Sequence, residues 1–469
     1  MELENAVDLA MELARKHSPD QLEAYWSKNR VTTIRMALND IVEAKTITME
    51  GVSIRLIINK SIGFASTTNL SSESLAKIVE EAYRAAKSKS PDPDFHSLPE
   101  PEKAQSPIRY DRRLTELDIE DSVELGYEAI RTARTEGQSL DFSGSINVVV
   151  EKCHVRNSFG VDASDISSFI FSSFTVEEGE ECSALGQGCS RKLRDFDPVT
   201  TVEEVVNGLK KGKGGKMIEP GRYEVILGPH AVAELVEFVL AYSLDLSSVD
   251  TGLSYFRGML GKTVADKSFG LIDDGCHPEG IASKSIDDEG VPTKATTLID
   301  GGVLQNFLCD TYYARKLSSP VREFKSTGNG FRFGPAPGRD YSSLPHVQPT
   351  NFVICPGKQH FEDLVEDTKR GIFIGRIWYC YPINPTIGEF STTNRGDTFY
   401  IENGEVKNPI LPNSFRIDDR LPRLLKEIQD ISREQIQSVV WGGVSSCLSP
   451  YIKLGDVNIA YSKGEDVSI

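Results

Sequence analysis

Ser285-Ile-Asp-Asp-Glu-Gly-Val-Pro-Thr-Lys294, Leu298-Ile-Asp-Gly-Gly-Val-Leu304 and Lys325-Ser-Thr-Gly-Asn-Gly330 follow one another within Ser285–Gly334. The three pieces are an acidic turn, a Gly-Gly hairpin and a polar loop, set among short apolar runs. Short strands joined by tight Gly and Pro turns predict β structure rather than helix. The same texture extends outward from Tyr223 to about Pro412 and returns over Ser438–Ile459. The C-terminal half is therefore predicted to be β-rich and barrel-like, closed or nearly closed. Two helices interrupt it. Ala231–Ala241 carries Val232, Leu235, Val236, Val239 and Leu240 at helical spacing, and Asp419–Asp430 reads as a second helix with Pro422 in its first turn.

Upstream the periodicity differs. Residues 2–17 place Leu3, Ala6, Leu9, Ala10, Leu13 and Ala14 on one helical face, and Pro19 ends the run. From Gln21 to Phe64 the period is two, which predicts an antiparallel sheet of about four strands, with a turn at Asn59-Lys60. A helix capped at Ser71 or Ser72 reaches about Lys87. Ser88–Arg109, with Pro91, Pro93, Pro99, Pro101 and Pro107, reads as an exposed connection. A helix at Ile119–Thr135 and strands at Ser145–Val150, Ser167–Thr175 and Cys182–Gly188 complete an N-terminal α/β unit. The short helix Val202–Leu209 runs into Lys210-Lys-Gly-Lys-Gly-Gly-Lys216. The expected fold is α+β: residues 1–210 form an antiparallel sheet with helices, 211–219 a Lys/Gly linker, and 220–469 the β-rich domain. The linker is no phosphate loop, since Met217 stands where Ser or Thr would follow the lysine.

The chain has 469 residues, too many for one ordinary core, and a formal net charge of -17. That charge disfavours phosphate backbones and anionic lipid as partners. No apolar run has the length of a membrane span, and Met1-Glu-Leu-Glu-Asn5 lacks the order of a signal peptide, so a cytoplasmic location is expected. Eight cysteines are scattered without a Cys-x-x-Cys pair, which suits reduced thiols.

Several residues offer chemistry, each with a plainer reading beside it. Asp287, Asp288 and Glu289 make either a cation or amine site or a solvated turn. His230 and Glu234, one helical turn apart, have the spacing of half a His-Glu-x-x-His zinc site, but the second histidine is missing. Cys153-His154 and Cys276-His277 are adjacent pairs whose side chains point apart on a strand. Ser326 and Thr327 offer hydroxyls to an anion, or simply close a polar turn. Asn403-Gly404 is a type I′ hairpin signal.

A family resemblance covers nearly the whole chain. Gly51-Val-Ser-Ile-Arg, Ile62-Gly-Phe-Ala-Ser-Thr, Val225-Ile-Leu-Gly-Pro, Ser254-Tyr-Phe-Arg-Gly-Met-Leu-Gly261, Asp287-Asp-Glu-Gly-Val-Pro292, Leu298–Leu304, Ser326-Thr-Gly-Asn329, Pro356-Gly357, Gly388-Glu-Phe-Ser391 and Ile401-Glu-Asn-Gly-Glu405 occur in the order seen in the TldD/PmbA (TldE) proteins, once called modulators of DNA gyrase. The resemblance implies a cytosolic zinc metallopeptidase system acting on unfolded peptides. In its TldD branch a helix carries His-Glu-x-x-x-His, and a C-terminal cysteine completes the zinc site. This chain resembles the PmbA/TldE branch, which lacks that signature. With Glu234 in the glutamate position, Ala233 and Phe238 stand where the histidines would, and the Leu-Ser-Pro after Cys447 is unlike the TldD pattern.

The expectation is a PmbA/TldE-like subunit with no metal or cofactor of its own. It would pair with a TldD-like zinc-bearing subunit as a heterodimer, or with itself as a homodimer. Unfolded peptide would lie extended by strand addition. Asp287, Asp288, Glu289, Lys294, Ser326, Thr327 and Asn329 are the candidate substrate-cleft residues. Two alternatives remain open: a self-sufficient metallopeptidase with an unconventional site using His230, Glu234 or the Asp287–Glu289 cluster, and a non-enzymatic protein-binding regulator.

Overall fold

The computed structural model describes residues 3–103, 110–137, 140–179, 182–334, 337–440 and 445–462. Its N-terminal half contains α1 (Leu3–Arg15), β1 (Gln21–Ala37), β2 (Asp40–Ile58), β3 (Ser61–Thr67), α2 (Ser72–Ser88), α3 (Arg112–Glu116), α4 (Ile119–Glu136), β4 (Asp141–Asn157), β5 (Asp162–Glu178), β6 (Cys182–Ser190) and α5 (Pro198–Gly212). The six strands form one antiparallel sheet in the order β3-β2-β1-β4-β5-β6. The Gln21–Phe64 segment supplies three of them rather than about four. Asp40–Ile58 is one unbroken 19-residue strand, because β1 pairs with it along its full length. Asn59 and Lys60 take the positive φ values of 49° and 64° that a tight hairpin requires. The Ser71 side chain caps α2 by accepting from the Ser74 amide. Of the proline-rich connection, residues 104–109, including Pro107, lie outside the described residues.

Strand alternation gives this sheet two different faces. On β1, Leu22, Ala24 and Trp26 point into a core with α1 and α2, while Ile34 and Met36 join Phe142, Ile146 and Phe174 under α4 and α5. The opposite face of β1 carries Glu23, Tyr25, Ser27 and Asn29, all of them buried. A buried polar face needs polar partners, and the C-terminal half provides them.

That half contains β7 (Gly221–Leu227), α6 (Pro229–Leu235), α7 (Leu246–Thr251), β8 (Leu271–Asp274), β9 (Ala295–Asp300), β10 (Val303–Leu304), α8 (Thr311–Lys316), β11 (Gly330–Phe331), β12 (His346–Val347), β13 (Asn351–Ile354), α9 (Phe361–Glu366), β14 (Arg370–Ile374), β15 (Ile377–Asn384), β16 (Glu389–Asn394), β17 (Thr398–Glu402), β18 (Glu405–Pro409), β19 (Phe415–Arg420), α10 (Leu421–Leu424), β20 (Ile428–Ser438) and β21 (Ser446–Tyr461). Apart from the β11–β12 pair, these strands make one 13-stranded sheet with the main path β10-β9-β8-β13-β21-β7-β14-β17-β18. The predicted barrel does not close. The long β21 pairs with β13, β7, β19 and β20 at different points along its length, so the sheet branches instead of curling onto itself.

The predicted helix at Asp419–Asp430 shrinks to the single turn α10. Pairing of β19 with β16 and β21 buries Phe415 and Ile417, and β20 is already a strand at Ile428. Tertiary pairing outweighs the helical spacing of the leucines there. Asn403 and Gly404 have φ of 54° and 78° between β17 and β18, as the hairpin signal requires. Among the described residues, no helix is long and apolar enough to cross a membrane.

Candidate functional site

Two places in the fold collect chemically active groups. The first is the acidic turn. Asp287 and Asp288 are 0% exposed and Glu289 is 2% exposed, so the turn is not solvated and does not line an open cleft. It plugs into the polar face of the N-terminal sheet. The Tyr25 hydroxyl donates to Asp288 Oδ1 at 2.8 Å, and Arg339 bonds the same oxygen. Arg332 donates its amide to Asp288 Oδ2 at 2.7 Å and its guanidinium to Glu23. Arg55 bonds Glu23 at 2.6 Å and reaches Glu289 at 3.5 Å. Arg339 also donates to Asp165 at 2.6 Å, while Lys284 pairs with Glu151. Burial alone would raise the Glu151 carboxyl, but the charges of Lys284 and Arg339 outweigh it and hold the group at about 2. Asp287 goes the other way: burial and the neighbouring Glu289 charge raise it well above the usual carboxylate range, although its oxygens accept from the amides of Glu289, Val291 and Gly330. The whole cluster is a buried ionic seam between the two halves.

The other cleft candidates lie behind this seam. Asn329 is buried and donates to Asp273 Oδ2 at 2.7 Å and to the Gln348 carbonyl at 2.8 Å. The buried Thr327 hydroxyl donates to the Cys309 carbonyl at 3.0 Å. Lys294 is exposed, and its ammonium donates to the Ser326 carbonyl at 3.0 Å. Ser326 lines a cavity of about 610 Å³ with Glu323, Lys325 and His96.

The second place is a larger cavity of about 800 Å³ between the two sheets. β4 lines it with Ser145 and Asn147, β5 with Phe171 and Thr175, and β6 with Gln187. The facing wall is Glu234, Arg376, Trp378 and Arg395. Glu234 is thus the one predicted site residue that reaches this cavity. It sits on α6, whose chain continues as a π-helical turn, Val236–Leu240, a local form that recurs at functional sites. His230 turns away from it. Its Nδ1 is 2.7 Å from the Ser438 hydroxyl, and burial, reinforced by the Arg376 charge, keeps the imidazole neutral by pushing its pKa well below the usual value.

This helix does not fit a zinc ion. Ala233, one residue before Glu234, and Phe238, four residues after it, cannot ligate a metal. Glu237 faces Ser445, accepting its hydroxyl at 2.7 Å, and burial raises its carboxyl. Cys447 is buried nearby, beside Glu237, and burial pushes its thiol up to about 12. Among the described residues, the one group of three His, Cys, Asp or Glu side chains close enough to share an ion is the exposed His360 and Glu362 with the half-buried Glu434, which lies elsewhere.

Arg332 and Arg339, which complete the seam, and Arg376, Trp378 and Arg395, which line the cavity, carry no local motif. Their convergence depends on sheet pairing, such as the Arg395 amide donating to the Arg376 carbonyl at 2.9 Å.

Residues 220–461 match the PmbA/TldA metallopeptidase C-terminal domain, and residues 22–86 match PmbA/TldA metallopeptidase domain 1. The crystal structure of TldE from Thermococcus kodakarensis aligns with a TM-score of 0.85 at 27% identity, covering 98% of this chain and 99% of that one. A metalloprotease PmbA homologue of Haemophilus influenzae is 24% identical over 452 residues, 93% of this chain and 94% of its own. A zinc metalloprotease TldD homologue of Saccharolobus solfataricus is 23% identical over 402 residues, 82% of this chain and 83% of its own. With the C-terminal match alone spanning more than half of it, the chain belongs to the PmbA/TldD metallopeptidase family.

Proposed function

We propose that this chain is the PmbA/TldE-type subunit of a TldD/TldE-type zinc metallopeptidase. In this reading it binds unfolded peptide in the cavity between its two sheets. A TldD-like partner supplies the zinc and the glutamate that activates water. The observation that carries the reading is the helix at the cavity wall. It keeps a glutamate, Glu234, but has Ala233 one residue before it and Phe238 four residues after it. A helix with Ala233 and Phe238 in the places of both histidines lacks the ligand set for the ion, and the cavity beside it keeps a shape that suits substrate. Strands β6 and β15 border the cavity, and among the described residues each pairs with one strand. An extended peptide can complete its backbone hydrogen bonds against such edges.

The test is metal analysis of the purified chain beside hydrolysis of a denatured protein, with and without a TldD-like partner. The expected result is less than stoichiometric zinc in this chain, no hydrolysis alone, and chelator-sensitive hydrolysis once the partner is added. One tightly bound zinc per chain together with cleavage in the partner's absence overturns the reading.

A further inference from the structure

Three buried arginines of the polar seam carry carboxylates, whereas the buried Arg191 donates to the Gly280 and Ser283 carbonyls. Arg55 has Glu23 and Glu289, Arg332 has Glu23, and Arg339 has Asp165 and Asp288. The buried Arg376 and the half-buried Arg395 differ from the seam arginines. Both line the 800 Å³ cavity, and among the described residues neither has a carboxylate within ion-pair distance. Arg376 is 9% exposed, and the side-chain hydrogen bond it makes is a long one, 3.4 Å to Gln187 Oε1. Burial lowers its guanidinium to about 10, and the more distant charges of Asp397, Glu234 and Glu204 offset that only in part. Arg395 lies over the Trp378 ring at 3.9 Å, and the indole is fixed by donating to Asn413 at 2.8 Å. Stacking uses the face of a guanidinium and leaves its edge donors for a second group.

A buried cation with no carboxylate in ion-pair contact is costly, and Arg376 beside the half-buried Arg395 presents two guanidinium groups to one shared anion. We propose that Arg376 and Arg395 form a carboxylate-binding site that anchors the bound peptide through its free C terminus or an acidic side chain. The inference rests on the cavity being the peptide site. Planar carboxylates match the guanidinium fork in two parallel hydrogen bonds. Glu234 and Glu177 line the same cavity, so a single negative charge suits it better than the double charge of a phosphate.

The test uses the full chain and a labelled, unstructured peptide in three forms, with binding read by fluorescence anisotropy. One form has a free C terminus and no acidic residue, the second is the same peptide amidated, and the third is amidated with one internal Asp. At least one carboxylate-bearing form is expected to bind roughly tenfold or more tightly than the amidated neutral form, as for other charge-assisted pairs. Whichever form does so identifies the source of the carboxylate. Arg395→Gln and Arg376→Gln should each erase the difference, while Glu234→Gln, which removes a like charge from the cavity, should enlarge it. Circular dichroism melts check that the variants fold, and Arg395→Gln, at a half-buried position, keeps the test valid if Arg376→Gln does not fold. Equal binding of all three forms overturns the carboxylate site and leaves the peptide reading standing. So does discrimination that survives in Arg395→Gln, or inorganic phosphate competing as strongly as the carboxylate peptide. No binding of any form overturns both.

Discussion

Asp288 accepts from three donors on its two oxygens: the Tyr25 hydroxyl, the Arg339 guanidinium and the Arg332 amide. Its removal would leave Arg339 facing Asp288's empty place in a site that excludes water. Taking one partner from a buried ion pair costs about 3–5 kcal/mol. Asp288→Ala is therefore expected to lower unfolding free energy by about that amount in urea titration, and Asp288→Asn, which keeps one oxygen acceptor, by less. Asp273 gives the opposite lesson. Burial raises its carboxyl from the ordinary 3.8 to about 7, and the bonds from Asn329 and Thr350 do not offset this. The folded state therefore keeps a proton that the unfolded chain releases between roughly pH 4 and 7. Stability from this group is greatest below that window and declines as pH rises through it. Asp273→Asn is expected to flatten the decline, which urea midpoints taken across pH 4 to 8 will report. Asp310, also raised to about 7 by burial and by the Glu289 charge, adds to the same slope in both proteins, so the comparison isolates Asp273. Glu151, held at about 2, has the other sign and gives up its contribution only in acid below that window.

At the scale of elements, the acidic turn works because Gly290 lets it approach the sheet. Gly290 has φ of 82°, and a Cβ there would stand 2.5 Å from Val161 and 3.0 Å from Val155. Gly290→Ala combines left-handed strain with overpacking, about 2–4 kcal/mol together. Loss of that much stability, with the native circular dichroism spectrum retained, is the expected result, and a change below 1 kcal/mol in urea denaturation would contradict this account. The elements also show what the sequence could reveal. The α+β class, the amphipathic helices α2 and α4, and the hairpin at Asn403-Gly404 all follow from periodicity or turn chemistry within a few residues of chain. The full length of β2 does not, because its exposed outer half is held by pairing to β1. The carboxylates at 287–289 were visible as residues, but their burial was not. Nothing local tells a solvated Asp-Asp-Glu from one that meets Arg332 and Arg339 beneath a distant sheet. Glu234 was legible from helix spacing and lies in the cavity. Arg376 and Arg395 were not, since strand pairing rather than any motif sets them side by side.

In the whole molecule, two separate apolar systems meet across a polar layer. One lies between the N-terminal sheet and its helices, the other within the C-terminal half. Smaller apolar clusters cross that layer, Phe171 with Val439 and Tyr25 with Ile286, and the buried ionic seam is expected to carry much of the remaining coupling between the halves. Arg339 stands at its centre. It bonds Asp288 and the Ile286 carbonyl on its own side and Asp165 on the sheet, and Glu151 accepts its amide at 2.9 Å. Such networks are strongly non-additive, and their loss is felt by every member. Native-state hydrogen exchange is expected to give similar opening free energies for β1 in the N-terminal sheet and β14 in the C-terminal sheet of the natural protein. Arg339→Met strands Asp165 and Asp288, uncouples the halves, and should separate the two values by more than about 1 kcal/mol. If β1 and β14 still open together in that variant, the seam is not what joins the sheets. The cavity at Glu234 and Arg376 would then owe its shape to local contacts such as Phe171 with Val439 and Arg376 with Gln187.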